Sequence, residues 1–134
     1  MSDEARIQIQ QDYDVVAARQ KGRELAGKIG FTGSDLTLIA TAISELARNI
    51  VTYAGRGEII FTFVNNGERP GLAIVARDDG PGIADIELAM RDGHSTGGSL
   101  GLGLPGARRL MDEFEITSGV GRGTTVTLRK WIRR

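Results

Sequence analysis

Apolar and polar residues alternate over positions 5–10, where Ile7 and Ile9 share a face, and this pattern predicts a first strand. The apolar spacing then lengthens. Val15, Val16, Ala18, Leu25 and Ile29 predict a helix with Asp12 or Asp14 as its N-cap and Gly30 as its C-cap. A second helix is predicted from Ser34 or Asp35 to about Ala54 and Gly55. Leu36, Ile39, Ile43, Leu46 and Ile50 recur at steps of three and four along it, tracing one buried stripe. Positions 58–65 and 71–77 are rich in β-branched and apolar residues. With Asn65, Asn66 and Gly67 as a turn between them, they predict an antiparallel hairpin. A short helical piece at 86–90, a helix at 104–111 and a closing hairpin (113–118 and 124–131, joined by 119–123) complete the chain.

This order has grouped helices and strands joined as hairpins, without continuous βαβ alternation. It predicts an α+β fold over residues 1–134 as a single domain: a two-layer α/β sandwich with a mixed sheet and one helical layer, not a doubly wound sheet.

Composition narrows the function. Seventeen basic residues balance seventeen acidic ones, so charge makes no case for nucleic acid or a membrane surface as partner. The chain has no cysteine and one histidine, which excludes disulfides and thiolate metal sites and disfavours a histidine zinc site. No apolar run is long enough to span a bilayer and the first residues do not read as a secretion signal, so a cytoplasmic protein is expected. The 19 glycines gather in the second half and mark particular loops there.

Candidate chemistry begins on the second helix. Glu45 and Asn49 are four residues apart and stack on one face, away from the Leu/Ile stripe. A proton acceptor and a neutral oxygen ligand at that spacing can serve a nucleophile and a hard cation together; a solvated polar edge has the same spacing. Three glycine tracts follow. Asp78 ends a strand just before Gly80, Gly82 and Ile83, where the glycines permit positive φ and close approach of a ligand. Gly101, Leu102, Gly103 and Leu104 run directly into a helix, whose free N–H groups make an anion site. No Lys-Ser/Thr pair follows, so this is not a Walker loop. Gly121, Arg122, Gly123 and Thr124 read as a hairpin turn.

Together, E-x-x-x-N on a helix, D-x-G-x-G after a strand, G-x-G-L opening a helix and G-x-G-T before the last strand resemble the GHKL superfamily, the Bergerat-fold ATPases and kinases. The segments V-A-A-R-Q, T-A-I-S-E-L-A-R-N-I, D-G-P-G-I and L-P-G-A-R-R-L-M-D-E-F look very like the RsbT family of small serine/threonine kinases of the bacterial stressosome. That resemblance implies ATP and Mg2+ as cofactors. It implies Glu45 as general base, Asn49 as magnesium ligand, and Asp78 as acceptor of the adenine amino group. Gly80, Gly82 and Ile83 would lie at the base. The backbone N–H groups of Gly101, Leu102, Gly103 and Leu104 would meet the phosphates, and Thr124 would join the adenine side through water. Residues 83–100, His94 among them, would form a lid. Arg48, Arg91, Arg108 and Arg109 are candidates for the γ-phosphate that the sequence does not separate. The implied partners are STAS-domain proteins as substrates and a metal-dependent phosphatase as downstream target, and a homodimer is left open. An ATP-gated binding switch of the anti-sigma type, or plain ATP hydrolysis, would use the same site.

Overall fold

The computed structural model describes residues 4–90 and 103–133. Strand β1 (Glu4–Ile9) leads into helix α1 (Asp12–Ile29) and helix α2 (Ser34–Asn49), which continues as a π-helical turn (Ile50–Ala54). Strands β2 (Gly57–Asn65) and β3 (Pro70–Asp78), a short helix α3 (Ile86–Ala89), helix α4 (Gly103–Leu110), and strands β4 (Glu113–Ser118) and β5 (Thr124–Trp131) follow.

The five strands form one sheet in the order β1-β2-β3-β5-β4. All four pairings are antiparallel, which corrects the expected mixed sheet. The reason is the connections. A parallel pair needs a crossover that returns to the same end of the sheet. Here β2 meets β3, and β4 meets β5, through short hairpin loops. The long segment carrying α3 and α4 leads to the far edge, and β5 then comes back antiparallel to β3.

The α+β reading and the layering hold. Ile59, Phe61, Leu72, Ile74, Ala76, Val126 and Leu128 project from one sheet face and form a single core with Ile39, Ile43, Leu46 and Ile50 of the predicted stripe. Leu36, at the start of that stripe, is only partly buried.

Helix α1 starts from Gln11, and Asp14 reaches back. Its Oδ2 accepts from the backbone N–H groups of Gln10 at 2.8 Å and Gln11 at 3.1 Å, so Asp14 acts from inside the first turn and is not the N-cap itself. Gly30 ends the helix as expected, with φ +123. The second helix does not stay α-helical to its end. Its last turn widens, and the Gly55 N–H reaches the Ile50 carbonyl five residues back, at 2.9 Å. No helix among the described residues is long and apolar enough to cross a membrane.

Candidate functional site

Strand register gathers one half of the site. Gly57 of β2 faces Asp78 of β3, Asp78 faces Thr124 of β5, and Thr124 faces Ser118 of β4. Ile9 of β1 stands opposite Gly57 and is fully buried, so this row lies on the helix-bearing face of the sheet. Glycine at 57 leaves the row open, because a Cβ there would stand 3.0 Å from the Asp78 Cβ and 2.5 Å from the Arg77 carbonyl oxygen. Asp78 is half-buried. Its Oδ1 accepts the Gly80 N–H at 2.9 Å, while Oδ2 has no hydrogen-bond partner among the described residues.

The π-helical turn supplies the next wall. It carries the chain from Asn49 to Ala54, whose Cβ lies 2.6 Å from where a Cβ on Gly80 would sit. Helix α2 and the first glycine loop are thereby in direct contact, and only glycine fits between them.

Glu45 organises the other half. It is 3% exposed, an unusual burial for a carboxylate, because α4 packs over its helix. Its Oε2 accepts the backbone N–H of Gly103, the first residue of α4, at 2.9 Å, and its Oε1 accepts from Arg48 Nη1 at 3.0 Å. Gly103 adopts φ +64, a conformation that glycine takes without strain. Leu104, next to it, is a buried core residue, so its place in the site is a backbone one. One turn from Glu45, Asn49 is half-buried, and its side-chain amide has no hydrogen-bond partner among the described residues. Gly101, Leu102, Arg91 and His94 lie outside the described residues. Arg108 and Arg109 are exposed on α4.

Comparison with known proteins fixes the family. Residues 9–130 match the histidine kinase-like ATPase domain. The chain belongs to that family. Within it, the chain is 51% identical over 133 residues to the serine/threonine-protein kinase RsbT of Bacillus subtilis (strain 168), a match covering 99% of this chain and 100% of that protein. It is 31% identical to an anti-sigma F factor of Caldanaerobacter subterraneus, covering 87% of this chain and 85% of that one. An anti-sigma F factor of Geobacillus thermodenitrificans is 33% identical over 77% of this chain and 74% of its own.

In this histidine kinase-like ATPase domain, sequence reasoning missed Ser118. Its hydroxyl donates to the Gly123 carbonyl at 2.9 Å, accepts the Ile83 N–H at 2.7 Å, and lies 2.8 Å from the Thr124 hydroxyl. One oxygen thus ties the end of the first glycine loop to the last turn. The Gly121 N–H adds a bond to the Pro81 carbonyl at 2.8 Å. Ser118 was within reach of the sequence: a hairpin closed by residues 119–123 sets position 118 against 124, on the same face. Gly82 has a packing role as well. With φ +79, it brings its backbone so close to the β4–β5 turn that a Cβ would lie 2.0 Å from the Gly119 oxygen. Lys130, also unmarked, is buried and donates to the Leu110 carbonyl at 3.1 Å, holding the C-terminal end of α4 on the sheet.

Proposed function

We propose that the chain is an ATP- and magnesium-dependent protein serine/threonine kinase. It phosphorylates STAS-domain partner proteins and, after release, activates a metal-dependent phosphatase. The observation that carries the chemistry is Glu45, a buried carboxylate fixed at the head of α4 and one turn from an Asn49 amide with no hydrogen-bond partner among the described residues. Full-length identity of 51% to a protein named as a serine/threonine kinase supports the reaction class.

In this reading Asp78 Oδ2 takes the adenine amino group, the acceptor that the Gly80 N–H leaves open. Gly80, Gly82 and Ile83 shape the wall beside the base, and Thr124 bonds to it through water. The Asn49 amide oxygen and several waters suit magnesium, which requires few protein ligands and keeps part of its hydration. Bound there, the ion offsets phosphate charge. The N–H groups of residues 101–104 receive the phosphates, with Gly103 turning its N–H from Glu45 to a phosphate oxygen. As the acceptor hydroxyl attacks, Glu45 takes its proton. The new O–Pγ bond forms, the bond from Pγ to the bridging oxygen breaks, and that electron pair leaves with ADP.

The test is incubation with Mg-ATP and a panel of STAS-domain proteins, with products mapped by mass spectrometry. Phosphate on a serine or threonine of one STAS protein is the expected result; no modified protein overturns the kinase reading. The anti-sigma relatives motivate a second reading, an ATP-gated switch that holds a partner without modifying it. It predicts nucleotide-dependent capture with no phosphorylated product.

A further inference from the structure

We infer that Arg48 is a positioning residue for the reaction, fixing the Glu45 carboxylate for proton abstraction and not binding the nucleotide itself. The inference rests on the base assigned to Glu45 above. Arg48 is three residues beyond Glu45 on α2, a spacing that brings the two side chains together on the helix surface. The contact is Nη1 to Oε1 at 3.0 Å. The two ends of this pair sit in different surroundings. Glu45 is 3% exposed, whereas the Arg48 side chain is 46% exposed. A buried carboxylate requires a charge partner and hydrogen bonds to stay in place. A guanidinium that remains half in water supplies both while keeping part of its own hydration. The backbone N–H of Gly103 holds the second oxygen at 2.9 Å, so the carboxylate is gripped from both sides and its plane is set.

The two grips differ in kind. The Gly103 N–H lies where phosphates are expected, and it is the grip a bound nucleotide takes away. Arg48 then remains to hold Oε1 while Oε2 turns toward the acceptor hydroxyl. Arg48 therefore acts on the proton transfer and not on the retention of ATP. Arg48, one of the arginines that the sequence offered for the γ-phosphate, has its charge directed at the base.

The experiment is a double-mutant cycle on the full chain. Single-turnover ADP formation from Mg-ATP is measured with and without the STAS protein that the panel identifies, and ATP affinity is measured by calorimetry. Arg48→Ala is expected to lower the turnover rate roughly 10- to 100-fold and to leave ATP affinity within about twofold. Arg48→Lys is expected to recover most of the loss, because one point contact to Oε1 suffices. In a Glu45→Gln background, Arg48→Ala is expected to add nothing. A parental rate for Arg48→Ala overturns the inference. So does a tenfold loss of ATP affinity at an intact rate, which makes Arg48 a phosphate ligand, and so do losses that multiply in the double variant, which make it an acceptor contact. A parental rate for Glu45→Gln instead removes the base itself, and the inference falls with that reading.

Discussion

In the proposed reading, Asp78 offers an adenine amino group the oxygen that has no partner among the described residues, because its other oxygen accepts the Gly80 N–H at 2.9 Å. Asp78→Asn exchanges that charged acceptor for an amide, and the loss of a charge-assisted hydrogen bond costs about 1.5–3 kcal/mol. ATP affinity should fall roughly 10- to 150-fold. Calorimetry on the variant, with GTP as a second ligand for the parent, checks this. Undiminished ATP binding by the variant, or equal affinity of the parent for both nucleotides, removes the adenine-reading role. Asn49 separates from it by metal dependence. If Asn49 holds magnesium as proposed, Asn49→Ala should weaken ATP binding in magnesium and leave binding in EDTA at the parental level.

At the scale of elements, α1 and α2 approach so closely that a single hydrogen at position 22 is decisive. A Cβ on Gly22 would lie 2.1 Å from Ile43 Cδ1 and 3.0 Å from Phe61 Cε1, and both of those side chains are fully buried, so any shift must be absorbed inside the core. Alanine raises helix propensity by about 1 kcal/mol over glycine, but overpacking a filled core costs about 1–3 kcal/mol. Gly22→Ala should therefore destabilise the protein, by up to about 2 kcal/mol. Gly27, on the exposed face of the same helix, has nothing within 4 Å of such a Cβ. There only the propensity and unfolded-state effects act, and Gly27→Ala should stabilise by about 0.4–1 kcal/mol. Urea unfolding of the two variants gives opposite signs if the helix faces are as described, and shifts of the same sign contradict the packing.

Over the whole molecule, the layers, the C-terminal end of α1 and the two hairpins were legible because each rests on a local signal: the Leu36–Ile50 stripe, Gly30 after α1, the Asn65–Gly67 turn. Sheet direction was not, since it depends on where the long connection through α3 and α4 lands. The π-helical turn was also hidden, because five residues of ordinary helical composition do not reveal a widened turn. The sequence pattern marked Glu45, Asn49 and Asp78, but not Ser118, whose role comes from contacts between elements. The sheet face away from the helices shows a further consequence of register. Glu58 lies opposite Arg77 on β3, and its carboxylate accepts from both Arg6 of β1 and Arg77, linking three strands. The Arg77 hydrogen bond is the main cause that holds the Glu58 carboxyl below its ordinary value near 4.5; burial opposes it, and the charge of Arg77 and the contact with Arg6 add to it. A carboxyl whose value is depressed on folding binds fewer protons in the folded state. Its contribution is complete above pH 4.5 and is lost as pH falls through the folded value. Both arginines are half exposed, so solvent screening limits the contribution to about 0.5–1 kcal/mol. Glu58→Gln should be less stable than the parent by that amount at pH 7, and the gap should close as pH falls from 4.5 through the folded value. Parent and variant differ only in this one carboxyl, so the difference between the two urea-unfolding curves isolates Glu58. A gap that persists undiminished at low pH would assign the effect to lost packing and not to the carboxylate.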